Sequence, residues 1–375
     1  MQFTCNQDTF SKYLNIVSRI ASVKPGLPIL SNVLFETNKS KLLMTATDLE
    51  IGVHCWMGAE IKAEGKTVVP AKQLAEFVNS VPAEQMDINL DKQQFSIKTT
   101  NNEAHFNTSV ADDFPKVAEL SDEKPLFTLT KENVIEIVGK VAFSAAKDDI
   151  KPVLTGVKIE ISGENIHFVS ADGIRLSRLS YALPEQSASD IELLVPAKAF
   201  DELARIVNDL SADNEDEKVS VYLIEEKNQI IFRYCEVDLV SRLIDGQFPD
   251  YKVIIPTSYQ TKCKISRSDF VNALKVVNVI ARNVIGNKIF LSIDKKGDIT
   301  LSAAQAEVGN NKSTFGSEIE GQEIEMAFSG RYLTDIINSL SGDEIIFECT
   351  TQVAPGVFKL VNSDNYIHLI MPMRF

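Results

Sequence analysis

One amphipathic helical stripe occurs three times along this 375-residue chain. In each copy the apolar residues are spaced three and four positions apart, which is the pattern of one face of an α-helix. The copies are Phe10, Tyr13, Leu14, Val17, Ile20 and Ala21; Val134, Ile137, Val138, Val141 and Ala145; and Phe270, Ala273, Leu274, Val277, Ile280 and Ala281. A repeat of about 130 residues has the size of a whole domain rather than of a solenoid unit. The sequence therefore predicts one domain present in three copies.

A second helical stripe follows the first in every copy. Its residues are Leu74, Phe77, Val78 and Val81; Phe200, Leu203, Ala204 and Val207; and Leu333, Ile336, Ile337 and Leu340. Elsewhere apolar residues alternate with polar ones, which is the pattern of half-buried β-strands. We therefore predict an α+β fold of three similar domains, each with two amphipathic helices packed on antiparallel sheets. Polar, proline-containing stretches at 116–125 and 250–262 suit linkers. The predicted domains are 1–120, 126–252 and 260–375.

The composition, with 44% hydrophobic and 24% charged residues, is typical of a soluble globular protein. No apolar segment approaches the about 18 to 20 residues that a membrane-spanning helix needs, and the N-terminus shows no signal-peptide pattern. The five cysteines lack C-x-x-C spacing and are typical of core thiols in a reducing compartment. We therefore expect a cytoplasmic protein that does not contact a membrane.

The net charge of −14 argues against a nucleic-acid partner, but the charge is unevenly distributed. Six helical segments carry 16 Lys and Arg and 11 Asp and Glu, which leaves −19 for the rest of the chain. These segments are 8–24, 72–80, 131–151, 198–209, 264–288 and 331–340. The cations could simply solvate the outer helix faces. If instead all six helices face one surface, that surface is positive. Its candidate residues are Lys12, Arg19, Lys24, Lys72, Lys147, Lys151, Lys198, Arg282 and Lys288.

The number of helices decides what a closed ring of them would enclose. Helices pack about 8 to 10 Å apart and are about 10 Å thick. Six helices in a closed palisade leave a bore of roughly 8 Å, which is too narrow for a duplex. Twelve helices leave about 26 Å, enough for B-DNA about 20 Å across. A ring around DNA therefore requires two chains joined head to tail.

Nothing in the sequence indicates a catalytic, cofactor or metal site. The four histidines occur singly, without the spacing of metal ligands: His54, His105, His167 and His368. The acid pairs Asp112-Asp113 and Asp148-Asp149 lack a base or metal partner, and adjacent acids usually only solvate a loop. No glycine-rich phosphate loop is present. We therefore predict a protein that is not an enzyme and has no cofactor.

Several motifs resemble those of one known family. They are Pro28-Ile29-Leu30, Ala46-Thr47-Asp48-Leu49-Glu50, Ala171-Asp172-Gly173-Ile174-Arg175-Leu176, Asp245-Gly246-Gln247-Phe248-Pro249-Asp250-Tyr251 and Met371-Pro372-Met373-Arg374-Phe375. Their order and spacing make the chain similar, over its whole length, to the bacterial DNA polymerase III β subunit family, the sliding clamps. The resemblance implies a homodimeric ring that encircles double-stranded DNA of any sequence. It also implies tethering of the polymerase III catalytic subunit and of other proteins with a clamp-binding motif. A clamp loader would open the ring with ATP, which the clamp does not hydrolyse.

The alternative function is an acidic repeat scaffold that binds peptides without encircling DNA. The helical charge and the resemblance favour the clamp, while the net charge of −14 suits the scaffold. Retention on circular DNA distinguishes the two functions.

The family's partner pocket lies between the second and third domains and accepts a short peptide with apolar anchors. By position, the resemblance assigns to it Leu154, Ala171, Gly173, Arg175, Leu176, Pro249, Ile254, Leu369, Met371, Pro372, Met373 and Arg374. Apolar walls and adaptable methionines suit Leu or Phe anchors, and we expect the arginines on the rim. Judged by residue type alone, without the resemblance, Met371 and Met373 would suit ordinary core filling at a chain end better than a binding pocket.

Two further sets of residues follow from the resemblance. The DNA-contact positions are Lys24, Lys72, Lys151 and Lys198, and the ring-interface positions are Phe106, Val279 and Ile280. The chain departs from the family's usual residues at Ala171, Ile174 and Phe375, and these changes make the expected pocket more apolar. Lys151-Pro152 replaces a basic-aromatic stretch, so we expect no stacking contact to DNA there.

Overall fold

The computed structural model of the protein describes residues 1–121, 124–183, 189–210 and 217–374. This part of the chain contains six α-helices: α1 Gln7–Ile20, α2 Ala71–Ser80, α3 Lys131–Lys140, α4 Ala197–Leu210, α5 Arg267–Ala281 and α6 Gly330–Ser339. They occur in pairs along the chain, as the repeated stripes predict. The first helix of the second copy is shorter than its counterparts. It ends at Lys140, one residue after Gly139, and Ala142–Ser144 is a separate 3-10 turn, because glycine weakens the end of a helix.

The described residues also form twenty-six strands, which pair only in antiparallel fashion. In chain order they are β1 Gln2–Asn6, β2 Asn32–Asn38, β3 Lys41–Thr47, β4 Ile51–Gly58, β5 Glu60–Ala63, β6 Gly65–Pro70, β7 Gln85–Asp91, β8 Gln94–Lys98, β9 Glu103–Asn107, β10 Phe127–Leu129, β11 Gly156–Ser162, β12 Asn165–Ala171, β13 Arg175–Ala182, β14 Ile191–Pro196, β15 Val219–Ile224, β16 Gln229–Tyr234, β17 Val237–Arg242, β18 Thr261–Ser266, β19 Lys288–Ile293, β20 Asp298–Gln305, β21 Gly309–Gly316, β22 Glu318–Gly321, β23 Ile324–Ser329, β24 Glu344–Cys349, β25 Gly356–Leu360 and β26 Ser363–Ile370. The predicted α+β fold is thus confirmed.

The chain packs as two compact units, which do not coincide with the three predicted domains. One unit contains residues 1–134 and 201–243, and the other contains 135–200 and 244–375. The stretch predicted as the second domain therefore contributes to both units. The boundaries of the three domains stay a prediction.

In the first unit, one sheet joins two of the sequence copies. Its eight strands run in the order β10-β15-β16-β17-β4-β3-β2-β6, so the last strand of the second copy pairs with β4 of the first. A five-stranded sheet has the order β5-β1-β7-β8-β9. Joining the copies removes two of the open strand edges that separate domains would expose.

The second unit repeats this arrangement. Its nine-stranded sheet has the order β14-β11-β12-β13-β26-β25-β24-β18-β22, and β26 of the third copy pairs with β13 of the second. A four-stranded sheet has the order β21-β20-β19-β23. We call the β4–β17 pairing the first seam and the β13–β26 pairing the second seam.

The helices are held to the sheets by their apolar stripes. On α1, Phe10 and Leu14 are fully buried, and the Phe10 ring lies 6.1 Å from that of Phe35. On α5, Phe270 is buried with its ring 5.8 Å from Phe315. Burying a large apolar side chain is worth about 1.5 to 3 kcal/mol, so these stripes fix which helix face is covered. On the opposite faces, Lys72, Lys198 and Lys275 remain exposed.

Candidate functional site

One cavity of the second unit is lined by nine of the twelve residues predicted for the partner pocket. It has a volume of about 210 Å³. The nine residues are Leu154, Ala171, Gly173, Arg175, Leu176, Pro249, Ile254, Leu369 and Met371. Lys151, which we predicted as a DNA contact, also lines it, together with Val153, Ile174, Phe248, Asp250 and Tyr251. A cavity of this size, with mainly apolar walls, suits one or two apolar side chains of a ligand.

The floor of the cavity belongs to the hydrophobic core at the second seam. Leu176 on β13 and Leu369 on β26 are directly opposed in the antiparallel register, and each is at most 2% exposed. Leu154 reaches this core from a 3-10 turn, and Phe248 and Tyr251 reach it from the segment after β17. The floor is therefore preformed by folding. The mouth keeps exposed apolar groups, with Ile174 46%, Ile254 44% and Met371 38% exposed.

A tight turn between β12 and β13 forms one wall. The Asp172 carboxylate oxygen Oδ1 accepts hydrogen bonds from the backbone N–H groups of Ile174 and Arg175, at 3.0 and 2.9 Å. Gly173 lies between Asp172 and Ile174 and has a φ of +92°, a conformation that residues with a Cβ adopt only at a cost. The Asp-Gly sequence thus fixes the backbone path that places Gly173 and Ile174 at the mouth.

Arg175 does not lie on the rim as predicted, because its side chain is only 3% exposed. It donates from Nε to Asp172 at 3.0 Å, from Nη1 to Asp335 at 2.7 Å and from Nη2 to the carbonyl oxygen of Phe143 at 2.9 Å. The guanidinium carbon is also 4.6 Å from the centroid of the Tyr332 ring. Its hydrogen-bonding groups are thus turned into the protein, so Arg175 supports the wall and is not an exposed anchor for polar ligand groups.

The C-terminal segment contributes less to the cavity than predicted. Met371 lines it, but Pro372, Met373 and Arg374 do not. The Met373 N–H donates to the carbonyl oxygen of Ala327 at 2.7 Å, which leads the chain away from the cavity. Arg374 is exposed, and its carbonyl oxygen accepts from Lys288 Nζ at 2.6 Å. Phe375 lies outside the described residues.

A polar cluster supports the opposite wall. The Tyr251 hydroxyl donates to Glu160 at 2.8 Å, and Lys252 donates to the other oxygen of the same carboxylate. Burial opposes the charged form of Glu160, but the hydrogen bonds from Lys252 and Tyr251 outweigh it and lower the pKa of Glu160. The carboxylate therefore stays ionised and holds the segment from Pro249 to Lys252 against β11. Sequence reasoning singled out this segment as a motif but not Tyr251 as a cavity residue.

The second unit also contains a buried chain of hydroxyl groups and a histidine. Ser144 Oγ lies 2.7 Å from Ser177 Oγ, which lies 2.7 Å from His368 Nδ1. Burial, and secondarily the charge of Arg175, lower the pKa of His368 well below its usual value, so the imidazole is neutral. All three residues are 0% exposed. A substrate cannot reach them, so we interpret the chain as structural.

The predicted DNA-contact residues are distributed over both units. Lys72 on α2 is exposed, whereas Lys24 is partly buried and donates from Nζ to the carbonyl oxygen of Asp48. The exposed candidates of the second unit are Lys147, Lys151, Lys198 and Arg282. The structure therefore leaves Lys72, Lys147, Lys151, Lys198 and Arg282 on the surface, whereas Lys24 is engaged in a turn.

The predicted interface residues lie near sheet edges. Phe106 is half-buried on β9, the terminal strand of its sheet, with its ring 6.0 Å from that of Phe77. Val279 on α5 is 67% exposed, and Ile280 is partly buried. Ile285, just beyond α5, is 96% exposed and was not among the predicted interface residues.

Within the ranges that the structure describes, no three His, Cys, Asp or Glu side chains are grouped so as to hold a metal ion. None of the described helices has the length and apolar character needed to cross a bilayer.

The chain matches sequence models of one family over nearly its whole length. The N-terminal, central and C-terminal domains of the DNA polymerase III beta subunit match residues 1–118, 128–250 and 252–374. The beta sliding clamp of Staphylococcus epidermidis is 26% identical, with 100% of this chain and 99% of that protein covered.

Solved structures of sliding clamps have the same fold. The crystal structure of the DNA polymerase sliding clamp from Bacillus subtilis has a TM-score of 0.94 at 23% identity and covers 100% of this chain and 99% of that one. The sliding clamp (DNA polymerase III subunit beta) from Pseudomonas aeruginosa has a TM-score of 0.90 at 25% identity, with both chains fully covered. Because the three domain models match in order along one chain, the protein belongs to the DNA polymerase III beta subunit family, the bacterial sliding clamps of DNA replication.

Proposed function

We propose that two copies of this protein close head to tail into a ring around duplex DNA. The ring would act as a non-catalytic, cytoplasmic accessory subunit that tethers the polymerase III catalytic subunit. Family membership supports the clamp over the scaffold. The observation that carries the proposal is the sheet architecture, in which β17 pairs with β4 and β26 pairs with β13. The same kind of joint between two chains would close the ring.

Two strands are suitable for that joint. β9 ends the five-stranded sheet of the first unit, and β21 ends the four-stranded sheet of the second. Strand edges of this kind pair readily with another chain. The half-buried Phe106 on β9 would meet the exposed Val279 of α5 in the other copy, which would cover apolar surface at the joint.

The helix faces supply the contact with DNA. Lys72, Lys147 and Lys198 are exposed on or beside helices, while the strands and loops carry the excess of acids. A surface of separated lysines attracts phosphates without reading bases. Such contacts would let a ring move along DNA of any sequence.

The cavity at the second seam supplies the contact with partner proteins. Its preformed apolar floor and exposed apolar mouth suit a short peptide with a Leu or Phe anchor. We propose that the polymerase, the clamp loader and other proteins with a clamp-binding motif bind here in turn. Ala171 and Ile174 would favour more apolar peptides.

A topological experiment tests the proposed function. The full-length protein is loaded onto nicked circular DNA by a bacterial clamp loader and ATP and is then separated from free protein by gel filtration. We expect the protein to stay with the circle and to be lost when a restriction enzyme linearises it. A scaffold would associate with neither form, and equal retention on both forms would contradict encirclement.

A further inference from the structure

An acidic residue occupies the same position in all three copies of the second stripe, and those of the second and third copies have different partners. Glu202 on α4 and Asp335 on α6 each lie two residues after the first residue of the second stripe, Phe200 and Leu333. Glu202 is 5% exposed, and its Oε1 accepts from Arg19 Nε on α1 at 2.8 Å. In the first unit, helix α4 is therefore anchored to another helix.

In the second unit, the guanidinium that anchors α6 comes from the wall of the cavity. Phe143 stands 124 residues after Arg19, where the repeat would place the equivalent side chain, so it cannot form the ion pair. Instead Arg175, the first residue of β13, donates to Asp335 at 2.7 Å. Its position in the first copy is occupied by Ile51. The arginine that pairs with the acid therefore lies on a helix in the first unit and in the cavity wall in the second unit.

The connection from Asp335 to the cavity is short. Arg175 Nε donates to Oδ2 of Asp172, and Oδ1 of the same carboxylate accepts from the N–H of Ile174. Asp335 itself does not line the cavity, and its side chain is 35% exposed. Loss of Asp335 would leave a nearly buried guanidinium with one charged partner fewer, so Arg175 and the turn that it holds would reorganise.

We propose that Asp335 is a positioning residue for peptide binding: it acts through Arg175 and Asp172 to hold the Gly173–Ile174 wall in its binding-competent shape. The proposal rests on the proposed function of the cavity as a peptide site. It follows that the position of α6 and the shape of the cavity depend on each other. A peptide bound in the cavity would stabilise the attachment of α6.

Three variants of the full-length protein test the proposal: Asp335→Asn, Asp335→Glu and, as a matched control, Glu202→Gln. The control removes the charge of the equivalent acid in the first unit, where the ion pair does not reach the cavity. The probe is a fluorescent synthetic hexapeptide with one Leu and one Phe side chain. Its dissociation constant, association rate and dissociation rate are measured for each protein, together with the melting temperature.

We expect Asp335→Asn to weaken peptide binding about threefold to tenfold, through faster dissociation. Asp335→Glu should restore most of the affinity, and Glu202→Gln should bind like wild type even if its melting temperature falls more. A merely structural role would make affinity follow the melting temperature across the variants. Wild-type affinity in Asp335→Asn would overturn the inference while the peptide site stands. Failure of the wild-type protein to bind any such peptide would instead overturn the proposed function of the cavity.

Discussion

The backbone N–H of Met371 donates a hydrogen bond to the carbonyl oxygen of Ile174, with 2.8 Å between the two atoms. The bond joins the end of β26 to the turn before β13 and so closes one side of the cavity. The first seam contains its counterpart, in which the Arg242 N–H donates to the carbonyl oxygen of Glu50 at 3.0 Å. The two seams therefore share one backbone design.

The side chains of the two seams differ at positions that line the cavity. The positions of Ala171 and Met371 at the second seam are occupied by Thr47 and Arg242 at the first. At the first seam, Val117 packs against Gly52. A Cβ added to Gly52 would come within 2.6 Å of Cγ1 of Val117. The second seam has Leu176 at that position and surrounds a cavity with apolar groups. Sequence divergence within a conserved frame thus accounts for the apolar site at the second seam.

A charge at the mouth of the cavity should weaken peptide binding strongly. Met371→Lys places an ammonium group where an apolar ligand side chain would enter, and desolvating that charge is unfavourable. We expect the dissociation constant of a Leu- and Phe-containing hexapeptide to rise at least about tenfold. Because Met371 is 38% exposed, the melting temperature should change little. The control is Val353→Lys, at a position that is 80% exposed and outside the cavity. Equal weakening in both variants would show that the cavity is not the site.

The turn at Gly173 should matter more for binding than for stability. Gly173→Ala has free space around the new Cβ, so its cost comes from the positive φ and is about 1 kcal/mol. Gly163→Ala, in the β11–β12 hairpin, has the same properties with φ of +59°. We expect similar losses in the free energy of unfolding, measured by urea denaturation. Only Gly173→Ala should weaken peptide binding, and weakening by Gly163→Ala as well would contradict this prediction.

Exposed lysines on or beside the helices should contribute to DNA affinity. The double variant Lys72→Glu, Lys147→Glu removes one such lysine from each unit. Binding of a fluorescent duplex is measured at several salt concentrations, and the slope of log affinity against log salt should shrink by about 0.9 for each lost phosphate contact. The matched control is Lys92→Glu, Lys295→Glu, which changes two lysines in hairpin turns with the same change in net charge. An equal effect of both doubles would indicate a response to net charge alone.

The exposed face of α5 should hold the dimer together. Val279→Lys introduces a charge at a position that is 67% exposed in the single chain but would be covered in the ring. We expect the dimer dissociation constant, measured by analytical ultracentrifugation, to rise at least about tenfold, because burying an unpaired charge is costly. Val353→Lys again serves as the control. A fully dimeric Val279→Lys protein would place the joint elsewhere.

The sequence alone predicted the helices and strands, because the spacing of apolar residues reveals both. The two stripes recur three times, so all six helices were identified, and the alternation in the strands predicted antiparallel sheets. The early end of α3 at Lys140 was missed because the third apolar turn of the stripe, including Val141 and Ala145, is buried without being helical. Tertiary packing, rather than helix propensity, covers those residues.

The sequence predicted most of the residues that line the cavity, but it did not predict how each of them is placed. Leu176 and Leu369 lie in recognisable motifs, but no local pattern shows that they are opposed across a seam formed by two sequence copies. We expected Arg175 on the rim of the cavity. Its ion pair with Asp335 could not be foreseen, because Asp335 is 160 residues away and belongs to no motif. Pro372 to Arg374 were included because they continue the motif of Met371. The bond between Met373 and Ala327, which turns the chain away, depends on the folded structure.

The buried His368 should make the second unit sensitive to acid. Its folded-state pKa is lowered well below 6.5, first by burial and then by the charge of Arg175. Below about pH 6.5 the unfolded chain binds a proton at this site that the folded protein does not, so acidification favours unfolding by about 1.4 kcal/mol per pH unit.

His368→Gln keeps a partner for Ser177 but cannot titrate. Calorimetry between pH 7.5 and 5.5 should therefore show a smaller loss of melting temperature in the variant than in the wild-type protein. The pKa values of His54 and His167 are also lowered, mainly by burial, but both residues are present in the two proteins and cancel in the comparison. Parallel curves for the two proteins would show that His368 is not neutral in the folded state.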